Sequence, residues 1–133
     1  LVGYPIMRLP QPIDVVNYVR YLENTMIDVI AEFDVKGERV EGRTGVWVDS
    51  GEELVKVAAI GIRVSEKVTM HGFALNVNAD LGYFDNIVPC GIKGKSVTSL
   101  NVELGKAEIP TEEVKSKLKK HFSSLFEATL IDS

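Results

Sequence analysis

Residues 54–64 (Leu-Val-Lys-Val-Ala-Ala-Ile-Gly-Ile-Arg-Val) constrain the fold most strongly. The run is apolar at consecutive positions rather than at alternate ones, as in a strand that is covered on both faces. Short polar groups bound it, Asp49-Ser50-Gly51 before and Ser65-Glu66-Lys67 after, and these are typical of turns between neighbouring strands. The pattern therefore predicts a central β-strand, with further strands over residues 45–48 and 68–78.

An amphipathic helix is predicted over residues 13–33, where apolar side chains recur at steps of four and three. Asp14 is its predicted N-cap and Gly37 its predicted stop. The predicted buried stripe consists of Val15, Val19, Leu22, Met26, Val29 and Phe33.

A last helix is predicted to begin with Thr111 as its cap. Its predicted buried side chains are Val114, Leu118, Phe122 and Leu125. Residues 1–9 contain Pro5, which cannot donate to a β-ladder, and they predict an edge strand or an extended arm. Residues 80–88 predict a single helical turn. Together these elements predict the α/β (α+β) class, a mixed β-sheet flanked by helices.

Composition excludes several classes of protein. The 133 residues, 45% hydrophobic and 26% charged, describe one folded domain over residues 1–133. The net charge of -4 argues against nucleic acid as a partner, and no apolar run reaches the roughly 20 residues that cross a membrane. One cysteine and two histidines far apart in sequence offer no disulfide and no metal-ligand spacing. A cytoplasmic location is predicted, or a mitochondrial one in a eukaryote.

Cys90 is the candidate nucleophile. It stands between Pro89 and Gly91, and because proline fixes φ while glycine tolerates unusual φ, the tripeptide suits a tight turn that presents the thiol. A thiol near its reference pKa of ~8.5 is only a few per cent thiolate at neutral pH, so it needs a base or a cation beside it. Without such a neighbour, Cys90 is a small buried hydrophobic residue.

Lys56 interrupts the apolar run of residues 54–64. A partly desolvated amine can accept a proton from a thiol and then stabilise the thiolate as an ammonium ion. The alternative is a lysine near the start of the strand with its amino group in water.

Two further features carry weaker signals. His71 fits a proton shuttle or a group that orients a substrate carbonyl, and it also fits a strand histidine that is merely hydrogen-bonded, whereas His121 is predicted to be structural. Residues 91–96 (Gly-Ile-Lys-Gly-Lys-Ser) lack the first glycine of a phosphate-binding loop and the helix that follows one. They leave open a glycine-rich loop whose backbone N–H groups face an oxyanion.

Several separated motifs stand in one order along the chain: Gly45-Val-Trp-Val48, Lys56-Val-Ala-Ala-Ile-Gly61, His71-Gly-Phe-Ala-Leu-Asn76-Val-Asn78, Asp80-Leu81, Phe84 and Pro89-Cys90-Gly91. In this order and at these spacings they resemble the lipoyl(octanoyl) transferase family. The resemblance extends from Leu1 to about Leu104.

The resemblance implies the fold shared by the lipoate and biotin protein ligases, here its C-terminal part, and an acyltransferase of lipoate synthesis. In that family a cysteine takes an octanoyl group from octanoyl-acyl-carrier protein as a thioester and passes it to a lysine of a lipoyl domain, with no nucleotide, metal or other cofactor. The expected acceptors are the lipoyl domains of 2-oxoacid dehydrogenase complexes and the glycine cleavage H protein.

The resemblance also assigns site residues. Cys90 corresponds to the family's cysteine, and Lys56 to the strand lysine that activates it. The positions that carry over as substrate-binding are Ala59, Ile60, Gly61, His71, Gly72, Phe73 and Ala74.

Family members carry, before the segment that begins at Leu1, an N-terminal portion with an Arg-Gly-Gly-x-x-Thr-x-His motif that lines the acyl pocket, and this sequence begins after it. Three explanations are open: a piece of a longer enzyme, a second polypeptide that supplies the N-terminal fragment, or a chain that is inactive alone. The interface for that portion would be exposed, so we expect a partner or poor solubility.

Two other functions are open. One is a non-catalytic module that binds lipoyl domains or carrier protein, against which the presence of both Cys90 and Lys56 argues. The other is an ATP-dependent enzyme similar to lipoate protein ligases, which ATP dependence would reveal. The lysine face of the last helix either steers acidic carrier proteins or is simply solvated; it consists of Lys115, Lys117, Lys119 and Lys120.

Overall fold

The structure is a computed structural model that describes residues 1–12, 14–51, 53–78, 97–106 and 108–128. Cys90 and the helical turn predicted over residues 80–88 lie outside these ranges. The elements, in chain order, are β1 (Val2–Gly3), α1 (Val15–Ala31), β2 (Gly37–Val40), β3 (Arg43–Asp49), β4 (Leu54–Ser65), β5 (Val68–Leu75), α2 (Leu100–Glu103) and α3 (Thr111–Phe126).

Within the described ranges the strands form one sheet in the order β1-β5-β4-β3-β2, and each of its ladders is antiparallel. β4 is the middle strand, as predicted, and β1 lies at an edge. Helix α1 packs against β2, β3 and β4, and α3 packs against α1. The predicted fold class, a sheet flanked by helices, is confirmed, and its mixed character is limited to one isolated parallel bridge between Lys56 and Val97.

The hydrophobic core lies between α1 and the sheet. Leu22, Met26 and Val29 of the predicted α1 stripe are fully buried, whereas Val15 at the start of the helix is exposed. On α3, Val114 is fully buried, and Leu118 and Phe122 pack against the core while partly exposed. None of the helices in the described ranges combines the length and hydropathy needed to span a membrane.

The ends of the helices agree only in part with the sequence prediction. Asp14 caps α1 as predicted, since its carboxylate accepts a hydrogen bond from the Asn17 N–H at 3.0 Å. The prediction of Gly37 as the stop is wrong: α1 ends at Ala31, and Gly37 begins β2, where a Cβ would lie 2.7 Å from Ile30 Cδ1. A side chain at Gly37 would therefore require the Ile30 and Val46 side chains to shift, because β2 packs closely on α1.

The cap of α3 also differs from the prediction. Pro110 occupies the N-cap position, and Thr111 is the first helical residue, with no side-chain capping hydrogen bond. The Pro110 carbonyl accepts the first helical bond, from the Val114 N–H at 3.3 Å. The φ of −60° at Pro110 suits the entry into the helix without help from a hydroxyl group.

Strand β4 contains one more residue than the part of β3 that it pairs with. Val46 pairs with Ala58 but Trp47 pairs with Lys56, so Val57 is the extra residue of a β-bulge. Val57 and Ala58 are consecutive, yet both are fully buried on the side of α1. The expectation of a strand covered on both faces is therefore wrong, because the bulge explains the consecutive apolar positions.

The bulge divides β4 into two sets of side chains. Val57, Ala58 and Ile60 belong to the core, whereas Ala59 and Gly61 are exposed. We call the side of the sheet away from α1, which carries Trp47, Lys56, Ala59 and Gly61, the Lys56 face.

Candidate active site

The two strand segments that carry the predicted substrate-binding residues are neighbours in the sheet. The register pairs Ala59 with Ala74, Ile60 with Phe73, Gly61 with Gly72, and Ile62 with His71. The structure thus brings these residues together in one antiparallel stretch of β4 and β5. Cys90, the predicted nucleophile, lies outside the described residues.

The side chains of this stretch divide between the two faces of the sheet. Ile60 and Phe73 are buried in the hydrophobic core. Ala59 and Gly61 are exposed, and a Cβ added to Gly61 would meet no atom of the described residues within 4 Å. The small residues of β4 therefore leave open space on the Lys56 face.

Gly72 has a structural reason to be glycine. A Cβ at this position would collide with the backbone carbonyl oxygen of Gly3 and would lie 2.8 Å from Pro5 Cδ. The absence of a side chain allows β1 to approach β5 closely.

Lys56 is half-buried, and among the described residues its side chain lies against β3. Its Cα pairs with that of Trp47, and its Nζ lies 4.9 Å from the centroid of the Trp47 ring. The lysine stem passes Gly45, where a Cβ would lie 3.6 Å from Lys56 Cε. The side chain is thus held along β3 rather than extended freely into water.

The chain comes back to Lys56 after the segment that contains Cys90. Val97 forms the bridge with Lys56, and the Thr98 N–H donates to the Lys56 carbonyl oxygen at 2.8 Å. The Asn76 side-chain amide donates to the Thr98 carbonyl oxygen at 3.1 Å. Backbone pairing therefore holds residues 97 and 98 next to Lys56, the candidate proton acceptor.

Asn78 makes a second pair of hydrogen bonds between distant parts of the chain. Its amide donates to the Ile109 carbonyl oxygen at 2.7 Å and accepts from the Ile109 N–H at 2.6 Å. In sequence, Asn76 and Asn78 were visible only as motif positions. Their hydrogen bonds are made with residues far along the chain, so no local sequence pattern reveals them.

His71 lies away from Lys56. It is exposed, has a φ of +64°, and pairs with Ile62, six residues along β4 from Lys56. At about 3.3 Å per residue this separation is about 20 Å. With Tyr4, Ile6 and Met70 it lines a groove of about 450 Å³ instead.

His121 has a structural partner, as predicted. Its Nε2 lies 2.6 Å from Glu32 Oε2, which ties α3 to the end of α1. The hydrogen bond with His121 and the charges of Lys117 and Lys120 lower the pKa of Glu32. Lys115 pairs with Glu112. Three lysines of the predicted basic face therefore pair with acids of this chain, which favours a solvated surface over a carrier-binding one.

No group of three or more His, Cys, Asp or Glu side chains in the described part of the chain could hold a metal ion. The chemistry that these residues can offer is an amine, held against an aromatic ring, beside a stretch of small residues. Trp47 was present in the sequence only as a motif position. Its contact with Lys56 depends on the register between β3 and β4, which the sequence pattern does not give.

Comparisons with known proteins identify the family of the chain. The sequence model described as lipoyl protein ligase A/B catalytic domain matches residues 1–123. An octanoyltransferase of Christiangramia forsetii is 59% identical over 132 residues, which are 98% of this chain and 56% of that protein. The chain therefore spans about half the length of the curated relatives it matches, 56% to 57% for three of them.

Solved structures show the same fold. A bipartite lipoate protein ligase system from Thermoplasma acidophilum has a TM-score of 0.76 at 12% identity, covering 96% of this chain and 51% of that one. A biotin protein ligase from Aquifex aeolicus has a TM-score of 0.70 at 18% identity, covering 93% of this chain and 50% of that one. These likenesses confirm the predicted lipoate and biotin ligase fold, and with the family match over residues 1–123 they establish that the chain belongs to the lipoyl protein ligase A/B catalytic domain family.

Proposed function

We propose that the enzyme containing this chain transfers an octanoyl group from octanoyl-acyl-carrier protein to a lysine of a lipoyl domain, through a thioester on Cys90. The 59% identity with an octanoyltransferase supports the choice of acyl group. The structural observation that carries the proposal is the return of the chain to Lys56 at Val97.

This return limits the distance between the two reacting groups. Cys90 precedes Val97 by seven residues, and seven residues span at most about 25 Å when fully extended. The turn expected at Pro89-Cys90-Gly91 shortens that reach further. The tether supports a role for Lys56 as the group that accepts the thiol proton.

In the proposed first half-reaction, the Cys90 Sγ–H bond breaks and the proton moves to Lys56 Nζ. The thiolate attacks the thioester carbonyl of the carrier protein, and the tetrahedral intermediate expels the carrier thiolate, which takes the proton from Lys56. One thioester is formed and one is broken, so this half-reaction requires no nucleotide.

In the second half-reaction, the amine of the lipoyl-domain lysine attacks the Cys90 thioester. An amide bond forms, the Cys90 thiolate leaves, and the proton released by the attacking nitrogen passes through Lys56 to the thiolate. Two successive transfers through one covalent intermediate predict ping-pong kinetics.

The octanoyl chain is proposed to lie over the small residues Ala59, Gly61 and Ala74. The open space at Gly61 supports this placement. His71, about 20 Å along the strand from Lys56, is assigned to contact with substrate rather than to proton transfer.

The test is denaturing intact-mass spectrometry before and after incubation with octanoyl-acyl-carrier protein. We expect a gain of one octanoyl group that hydroxylamine removes, and no such gain in Cys90→Ser. Lys56→Met is expected to slow the gain by about 100-fold or more, the range typical of a lost general base. Lys36→Met, at an exposed lysine outside the site, is the matched control and should keep the original rate.

The assay is run on the chain alone and on the chain mixed with the N-terminal part of the Christiangramia forsetii relative. No octanoyl gain under either condition would contradict the proposal. Acylation by free octanoate that requires ATP would instead indicate a ligase, and binding of lipoyl domains without any acylation would indicate a binding module.

A further inference from the structure

We propose that Trp47 is a positioning residue whose indole ring holds the ammonium ion that Lys56 becomes when it accepts the thiol proton. The inference rests on the proposed function. Lys56 Nζ lies 4.9 Å from the ring centroid, inside the range of about 6 Å over which a cation is attracted to an aromatic face. The two residues are register partners on β3 and β4, so the backbone pairing of the strands fixes their proximity.

Trp47 is buried with a polar group that its packing does not use. Its side chain is 3% exposed, and its Nε1 is buried with no hydrogen-bond partner among the described residues. An unpaired buried N–H is unfavourable, and a phenylalanine at this position would not carry that disadvantage. Tryptophan offers the strongest aromatic face for a cation, which is the property that Lys56 uses.

Gly45 lies beside the last methylene groups of the Lys56 side chain. A Cβ there would lie 3.6 Å from Lys56 Cε and 3.8 Å from Cδ, so the stem runs beside the glycine before Nζ reaches the ring. The Gly45 N–H donates to Glu23 Oε2 at 3.1 Å, and Glu23 is almost fully buried. This hydrogen bond anchors the segment of β3 along which the lysine lies.

A second cation approaches the same ring. The guanidinium carbon of Arg43 lies 5.9 Å from the Trp47 centroid, at the limit of the effective range, and Arg43 is exposed. Lys56 is the closer of the two and is half-buried, where less water competes with the ring. Arg43→Gln therefore serves as a control, with a rate expected within about twofold of the original.

The contact between Lys56 and Trp47 favours the state that follows proton transfer from Cys90 to Lys56. The ring attracts an ammonium ion and not a neutral amine, so it stabilises the state in which the Cys90 Sγ–H bond is broken and the Lys56 N–H bond is formed. A weaker ring should slow formation of the Cys90 thioester and leave the KM for the carrier protein unchanged, because Trp47 acts through Lys56.

The test uses the fact that Trp47 is the single tryptophan of the chain. Growth on mono-, di- and tetrafluorinated tryptophan replaces only this residue, and the fluorines withdraw charge from the ring while they preserve its shape and its N–H. We expect the rate of thioester formation to fall stepwise, by about tenfold for the tetrafluorinated protein. Trp47→Phe grown on the same analogues contains no tryptophan and should show no dependence on fluorination.

Equal rates across the series would overturn the proposal. A rise in rate, or a change confined to KM, would also overturn it, because fluorination strengthens the indole N–H as a donor and such a result would mean that the N–H contacts substrate.

A separate measurement keeps this inference distinct from the proposed function. The Lys56 ε-methylene protons should resonate upfield under the ring current of Trp47, and Trp47→Leu should remove that shift. A protein that shows the shift but forms no Cys90 thioester contradicts the proposed function and, with it, the catalytic purpose of the contact. A protein that forms the thioester but shows no shift overturns the positioning role alone.

Discussion

Gly45→Ala tests whether the backbone of β3 can tolerate any side chain beside Lys56. The φ of Gly45 is +125°, and an alanine held there is strained by about 1–3 kcal/mol. The added Cβ would also lie 2.8 Å from the Ala58 carbonyl oxygen, which is backbone of the neighbouring strand and cannot rotate away. Forcing the strands apart adds about 1–3 kcal/mol, so the expected loss in free energy of unfolding is about 2–6 kcal/mol.

Gly42→Ala is the matched control, because Gly42 also has a positive φ, of +80°, but a Cβ there would meet no atom in the described part of the chain within 4 Å. The free energy of unfolding of Gly42→Ala should fall only by the contribution of backbone strain, about 1–2 kcal/mol. Urea unfolding followed by the fluorescence of Trp47 measures both variants. Equal losses in the two, or a loss below about 1 kcal/mol for Gly45→Ala, would refute the steric reasoning.

Two further outcomes are expected. The hydrogen bond with His121 and the charges of Lys117 and Lys120 lower the Glu32 pKa from its ordinary value of 4.5, so the unfolded state binds this proton more readily. The free energy of unfolding should therefore rise with pH between the Glu32 pKa of the folded state and about 4.5, and this gain should be lost on acidification. Thermal unfolding from about pH 3 to 6 measures it, and Glu32→Gln should show a weaker dependence of stability on pH. An unchanged pH dependence in the variant would contradict the assignment. At a saturating concentration of the octanoyl donor, His71→Ala should change the rate of thioester formation by less than about threefold, because His71 is remote from Lys56. A loss as large as that of Lys56→Met would contradict its exclusion from proton transfer.

Features with a local cause were predictable from the sequence. Asp14 at the start of α1 satisfies a backbone donor three residues on, so its composition and position suffice to identify the cap. The apolar run at 54–64 became β4 because a long apolar segment between turn residues has few other solutions. Lys56 was identifiable as a charge inside that run.

Features that depend on pairing with distant residues were not predictable. Strand β2, Gly37–Val40, has charged residues at two of its four positions and exists through its ladder with β3. Strand β5 ends at Leu75, short of the predicted Asn78, because the carbonyl oxygens of Asn76 and Val77 accept hydrogen bonds from the N–H groups of Leu100 and Asn101 instead of from β4. The proximity of Trp47 and Lys56 likewise follows from a register that includes a bulge.

The residue inserted at Val57 also determines which side chains can act together. Lys56 is three residues from Ala59 and five from Gly61, and in a regular strand odd separations place side chains on opposite sides of the sheet. The extra residue at the bulge offsets one step of this alternation, so the side chain of Lys56 lies on the same side of the sheet as Ala59 and Gly61. A regular ladder through all of these residues, without the bulge, would place the amine on the opposite side of the sheet from Ala59 and Gly61. Deletion of Val57 would remove the bulge and leave even separations between Lys56 and the two small residues, so all three would stay on one side. The proposed site thus depends on the bulge in β4 as well as on the identity of the residues in that strand.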